Sequence, residues 1–493
     1  MRAGILLHIS SLHSPYGIGT LGKEAYKFVD FLKDSEQSYW QILPINPTSI
    51  GDSPYQSPSV FAFNPYFIDL DMLVADKLIK RSSIKTLKKF EGGEKAEYGY
   101  LFETRMNVLK QAYDNYKLFE KEYFDFKTKN RKWIFSYGVF CFLKEKHGFV
   151  SWDNWSKEYK IIDLDKVDEI YEANKQEIER IMFVQFLFLK QWNALKEYAN
   201  DKGVKIIGDI PIYVAYDSVD VWLNSELFQL DSKKKPTHVA GCPPDAFCKK
   251  GQLWGNPLYD WDKMKKTNYQ WWIDRMNQAM EMFDIVRIDH FRGFSAYYSI
   301  KFGNKTAIKG QWIKGPGTKL FKTIEKNTFR LDVIAEDLGF IDQDVINMLW
   351  DTGYPGMKIF QFEISKTVKE TLERFKTIPK NTILYTGTHD NLPIVAWANS
   401  LEDKYKTVLK KILNYSGKKV NEAIIEYCYK ANSKTVIIPF QDFIGAGEDK
   451  RMNTPSTLEG NWVYRISKKD LSKKLAEKIK VLSEKYGREQ SVL

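Results

Sequence analysis

The chain has 493 residues, 43% of them hydrophobic and 28% charged, with 74 Lys plus Arg against 63 Asp plus Glu and a formal net charge of +11. That length can bury a large core, and the apolar content excludes a disordered or low-complexity chain. The positive balance does not make a nucleic-acid-binding stripe, because the bases are dispersed among nearly as many acids; only Lys468 to Lys485 is locally basic, which suits a solvated helix face.

Eight apolar runs are expected as strands, in chain order Ala3 to Ile9, Tyr39 to Ile45, Val204 to Ile210, Phe283 to Ile288, Asp332 to Ala335, Gly356 to Phe362, Thr382 to Thr386 and Thr435 to Phe440. Between the first two, Lys23 to Leu32 carries apolar residues at helical spacing and completes a βα unit. Strands alternating with helices predict a parallel sheet closed as a (β/α)8 barrel, one catalytic domain over residues 1–493. The stretch between the second and third runs is too long for a return connection and predicts an inserted, mainly helical subdomain at about 55–200. Residues 213–264 hold Pro236, Gly241, Pro243, Pro244, Gly251, Gly255 and Pro257, and are expected as long loops over the barrel mouth. After the eighth run, the remaining stretch leaves no room for a C-terminal β-sandwich.

Four cysteines, Cys141, Cys242, Cys248 and Cys428, are too few for a disulfide framework and make no metal-ligand cluster with histidine; pairing of Cys242 with Cys248 stays open. No 18-residue apolar run and no signal-peptide pattern occurs, so a cytoplasmic protein without membrane or nucleic-acid partners is expected.

Three apolar runs end in an acid: FDIVRIDHFRG in Asp289, DVIAEDLG in Glu336 and TILYTGTHDN, a little beyond its strand, in Asp390. In a barrel such strand ends converge on one mouth, and paired carboxyl groups there suit cleavage of a glycosidic bond, one as nucleophile and one as proton donor. Arg287, two residues before Asp289 on the same strand, faces the same side and favours an ionised carboxylate. Glu336 has to keep its proton near neutrality; partial burial beside the other acids is the expected cause, because strand alternation turns Asp337 away. Aromatic residues make up 15% of the chain, and Tyr55, Trp254 and Tyr259 sit among Gly, Pro, Asn and Asp, a setting in which flat rings meet sugar C–H faces.

The segments HISSLHSPYGIGTLG, WQILPINP, GDSPYQSPSVFAFNPY, IIGDIPIYV, CPPDAFCKKGQLWGNPLYDW, VRIDHFRG, AEDLG, GTHDN, RMNTPST and GNW together resemble the amylomaltases, or 4-α-glucanotransferases, of glycoside hydrolase family 77. The resemblance covers essentially the whole chain. It implies transfer of 1,4-α-glucan segments to the 4-hydroxyl of glucose or a glucan by a retaining double displacement, with no metal or organic cofactor. Asp289 is then the nucleophile, Glu336 the general acid/base and Asp390 the carboxylate that grips sugar hydroxyls. His290 and His389 would bind hydroxyls, Asp209 would order the site, and Tyr55, Phe247, Trp254 and Asn256 would contact or cover substrate beside Arg287. The implied partners are maltooligosaccharides and 1,4-α-glucans, bound by a monomer or weak homodimer. An α-amylase-type hydrolase shares the three acids but usually carries the missing β-sandwich, and an inactive glucan-binding protein would not need all three. Departures from the family pattern fall at Ala246, where a lid tyrosine is common, at Ser49-Ile50 and at Leu392-Pro393.

Overall fold

The computed structural model describes residues 1–49, 51–244, 249–414 and 419–490. Among these the strands are β1 (Arg2–Leu6), β2 (Tyr39–Gln41), β3 (Lys205–Pro211), β4 (His238–Cys242), β5 (Gln252–Pro257), β6 (Ile285–Asp289), β7 (Ala296–Lys301), β8 (Gly310–Lys314), β9 (Val333–Ala335), β10 (Gly356–Ile359), β11 (Thr382–Tyr385) and β12 (Thr435–Pro439). Eight of them, in the order β10-β11-β12-β1-β2-β3-β6-β9, form a sheet in which every pairing is parallel. They are the eight expected runs, each shortened at an end.

The two outer strands of that order meet and close the barrel. The Ala335 N–H donates to the Pro355 carbonyl at 3.0 Å, and the Met357 N–H donates to Asp337 Oδ1 at 2.6 Å. Asp337 therefore stitches the seam, and burial pushes its carboxyl up against the pull of that amide. β1 passes so close to β2 that a Cβ at Gly4 would lie 2.5 Å from Tyr39 Cβ. Helices cover the outside, so strands such as TVIIP of β12 are buried on both faces. The first return helix, Lys23–Asp34, buries Phe28 against Trp40 at 5.1 Å and Phe440 at 6.0 Å between ring centres.

The connection from β2 to β3 is mostly helical. Its long helix Lys175–Asp201 buries Ile178, Met182, Phe183 and Phe186 and fixes the segment after β2 with two amide clips. Gln185 accepts from the Phe63 N–H at 2.7 Å and donates to the Phe63 carbonyl at 3.0 Å; Gln191 does the same to Asp69 at 2.7 and 3.0 Å. A buried glutamine that satisfies both backbone groups of one residue holds register as a strand neighbour would.

The expected loops at 213–264 need correction. β4 and β5 pair with each other, and β4 with β7, in an antiparallel sheet of order β5-β4-β7-β8. Dense Pro and Gly suggested irregular chain, but Gly241 permits a crossing where a Cβ would meet the Gln252 carbonyl oxygen at 2.2 Å. β7 and β8 lie outside the eight runs altogether. The basic C-terminal stretch forms the helix Lys473–Lys485, which buries Ala476, Ile479 and Ser483 and exposes most of its lysines. No helix among the described residues is long and apolar enough to cross a membrane.

Asp337→Ala is expected to destabilise the barrel by about 1.5–3 kcal/mol, the range for a hydrogen bond to a charged group, with Asp337→Asn losing less because an acceptor remains. Chemical unfolding measures both; an unchanged Asp337→Ala midpoint would show that the seam does not depend on this carboxylate.

Candidate active site

β6 delivers Arg287 and Asp289 to the mouth, and β3 brings Asp209 alongside, in direct register with Arg287. The guanidinium joins them. One terminal nitrogen donates to Asp209 Oδ1 at 2.8 Å and Oδ2 at 2.6 Å, the other to Asp289 Oδ1 at 2.9 Å. The Arg287 side chain is 4% exposed and that of Asp209 0%, whereas Asp289 keeps 29% and faces the opening. The Tyr55 hydroxyl donates to Asp209 Oδ2 at 2.9 Å. Burial pushes the Asp209 carboxyl up to about 6 against the pull of Arg287. Burial together with Asp209 drives the Tyr55 phenol well above its ordinary value.

Glu336 is the residue after β9. Because Ile288 pairs with Ala335, Asp289 and Glu336 are the next residues on neighbouring strands, which run about 4.8 Å apart. The Glu336 side chain is held by backbone amides: Oε2 accepts from the His290 N–H at 2.7 Å and Oε1 from the Leu338 N–H at 2.7 Å. Burial pushes its carboxyl up to about 8 and the charge of Asp289 adds to this, while Arg287 and the two amides oppose. Burial and the neighbouring charge thus favour its protonated form. Asp337 points away to the barrel seam, as strand alternation requires.

Asp390 follows β11 on a loop and is half exposed. Its Oδ1 accepts from Asn453 Nδ2 at 2.6 Å and lies 3.4 Å from His389 Nε2, and its carbonyl accepts from Arg451. His389 stacks on Tyr55, with ring centres 5.1 Å apart and 18° between planes, and meets Trp462 at 5.8 Å. These contacts bring the GDSPYQ, GTHDN, RMNTPST and GNW motifs to one wall.

On the other side, His290 adopts a left-handed φ of 52° and packs edge-on against Trp254 at 4.9 Å. Burial pushes its imidazole down to about 4, so the ring is neutral, and its buried Nε2 has no partner among the described residues. Trp254 lies on β5, half-buried, with its Nε1 donating to Gln252 Oε1 at 3.1 Å. Asn256 is buried and supports the neighbouring motif: Nδ2 donates to the Val214 carbonyl at 2.8 Å and Oδ1 accepts from Gln56 Nε2 at 3.0 Å. Phe247, together with Ala246 and Cys248, lies outside the described residues, as does Ile50.

Two residues at this mouth escaped the sequence reading. His8, just past β1, accepts the Leu43 N–H on Nδ1 at 3.2 Å, and burial plus nearby His389 pushes it down to about 3. Arg292 is buried, donates to the Phe340 carbonyl at 2.6 Å and to Asp342 at 3.2 Å, and lays its guanidinium 3.7 Å from the Trp312 ring centre. It ties the Glu336 loop to β8. The signals were the opening histidine of HISSLHSPYG and the second arginine of RIDHFRG, neither of which announces its partner.

A family model described as 4-alpha-glucanotransferase matches residues 7–471. The chain belongs to that family, glycoside hydrolase family 77. It is 43% identical to the 4-alpha-glucanotransferase of Clostridium butyricum over 488 residues, covering 98% of this chain and 100% of the relative. It is 42% identical to the one from Aquifex aeolicus over 494 residues, covering 99% of each. A solved amylomaltase from Streptococcus agalactiae in complex with acarbose superposes with a TM-score of 0.95 at 39% identity, covering 99% of both chains.

Since Asp289 is the second cause of the raised Glu336 carboxyl, Asp289→Asn is expected to move the Glu336 titration down from about 8. Burial, the larger cause, remains, so it should stay above the ordinary glutamate range. Site-specific carbon-13 NMR of Glu336 reads this; an unmoved titration would separate the two carboxyls electrostatically.

Proposed function

We infer that this chain is a 4-alpha-glucanotransferase that moves segments of 1,4-α-glucan to the 4-hydroxyl of an acceptor glucose or glucan through a covalent intermediate. The observation that carries the reading is the adjacent, unlike carboxyl pair: Asp289 ion-paired to Arg287 and open to the mouth, Glu336 one strand away and buried, which pushes its carboxyl up. Retaining enzymes hold such a pair about 5–5.5 Å apart, and adjacent positions on neighbouring strands allow the two side chains that proximity.

Asp289 attacks the anomeric carbon as Glu336 gives its proton to the departing glycosidic oxygen, which leaves as the 4-hydroxyl of the released chain. The β-linked ester on Asp289 is then attacked by an acceptor 4-hydroxyl, whose proton returns to Glu336. Asp390, fixed by Asn453, binds sugar hydroxyls beside His389. The unpartnered Nε2 of His290 is a further hydroxyl partner. Tyr55 stacks and Asn256 positions Gln56 behind it. The scheme uses no metal or organic cofactor. Donor and acceptor are maltooligosaccharides or longer glucans, and a long chain that attacks its own intermediate gives a cyclic product. A cytoplasmic monomer or weak homodimer fits this role.

Asp289→Asn or Glu336→Gln should lower transfer by several orders of magnitude without loss of folding, since each removes bond making or proton transfer and not packing. The parent should convert maltotriose into a ladder of longer and shorter oligomers; glucose and maltose alone would mark a hydrolase, and no change an inactive protein. Activity should fall as pH rises through about 8, where Glu336 gives up its proton.

Transfer must also outrun water at about 55 M, so the ester has to be shielded and the acceptor held in place. Trp254, edge-on to His290 at the mouth, is the shield among the described residues. Trp254→Ala is expected to raise the hydrolysed fraction in a reducing-end assay, and an unchanged fraction would remove it from that role.

A further inference from the structure

Away from the barrel mouth, a cleft of about 350 Å³ opens between the helical insertion and the barrel flank. Its walls come from the helices Arg131–Lys146, Val219–Leu223 and Gln270–Met282, and part of its lining is Ser59 and Phe61. That volume lies within the range of small-ligand sites, about 300–1,000 Å³. None of the proposed catalytic carboxyls lines it.

We propose that this cleft is a second, non-catalytic binding site for a neutral segment of 1,4-α-glucan. Its lining has the chemistry of a sugar site and not of a charged ligand. Half-buried Phe61 and Trp133 supply apolar surface, with Phe61 edge-on to Trp271 at 6.1 Å. The two lysines that line it are already neutralised by carboxylates that line it too: Lys132 by Asp274 and Lys129 by Glu281, each at 2.8 Å. An anionic ligand would have to displace those partners, whereas hydroxyls can use both members of each pair as donor and acceptor. Side-chain amides of Asn224 and Asn277 extend the polar edge.

The Ser59–Phe61 segment is rigid. Asp220 accepts the Val60 N–H at 2.9 Å, Asn46 donates to the Val60 carbonyl at 3.0 Å, and Gln278 donates to the Phe61 carbonyl at 2.7 Å. A preformed surface of this kind costs little ordering when a ligand settles on it. A second hold on a long chain raises the local concentration of that chain at the mouth, while maltotriose, short enough to sit in one place only, gains nothing.

The identity of the ligand rests on the transferase reading; the existence of the site does not. Crystals of Glu336→Gln soaked in maltotetraose should show sugar packed on Phe61 and Trp133. In otherwise unaltered enzyme, Phe61→Ala and the cleft-filling Asn277→Trp should raise KM for amylose several-fold, with kcat and all constants for maltotriose unchanged. An empty cleft overturns the proposal. Sugar in the cleft with an unchanged amylose KM means binding at crystal concentration only and overturns it as well. Equal losses on amylose and maltotriose would show that Phe61 and Asn277 serve the active site. A parent enzyme that makes no ladder from maltotriose would instead sink the transferase reading and leave the soak to judge the cleft.

Discussion

The Arg287 guanidinium, buried between Asp209 and Asp289, is the contact on which the rest of the site depends. Three charges sit there with one net negative, in a place where an unpaired ion costs several kcal/mol. Asp209 is fully buried and grips Arg287 through both oxygens, so the arginine cannot swing to serve Asp289 alone. Asp289 is thereby left with one oxygen engaged and a face toward the opening. The residual negative charge reaches Glu336 on the next strand and helps keep a proton on it. Burial of Glu336, aided by that charge, and the ion pair that holds Asp289 at the opening give two carboxyl groups of similar intrinsic acidity different environments, which acid–base work on a glycosidic bond requires.

The surrounding structure holds that arrangement still and covers it. Glu336 is clamped by the amides of His290 and Leu338, and its loop is pinned by Arg292 to Trp312 of the antiparallel sheet. The same sheet carries Trp254 over His290. The cover and the loop that carries the acid are thus held by one antiparallel sheet. On the opposite wall, Tyr55 joins Asp209 to His389, so the first and last thirds of the chain meet at one ring stack.

Much of this was legible in the sequence because strand physics is local. A β-branched run that ends in a charge marks a barrel strand at its rim, and the parity of Arg287 and Asp289 follows from a two-residue repeat. The seam role of Asp337 was half legible: alternation turned it away from the site but could not name Met357 as its partner. What stayed hidden depends on chain folding back over long separations. β4, β5 and β8 hold Gly or lie beside Pro, β7 (AYYSIK) carries no terminal charge of the barrel-strand kind other than a lysine, and the pairing of all four is fixed by tertiary contact. His8 and Arg292 lie inside quoted motifs that do not name their partners, and Asn256, read from its motif as contacting or covering substrate, gives its amide to Gln56 and Val214.

The central claim, that Asp289 forms the covalent bond while Glu336 manages the proton, is tested most directly by trapping the intermediate. With Glu336→Ala and α-maltosyl fluoride, the fluoride leaves without an acid, and the deacylating base is gone. Mass spectrometry of a proteolytic digest should then find one maltosyl unit on the peptide that contains Asp289. An adduct on any other residue, or none while fluoride is released at the parent rate, would contradict the account.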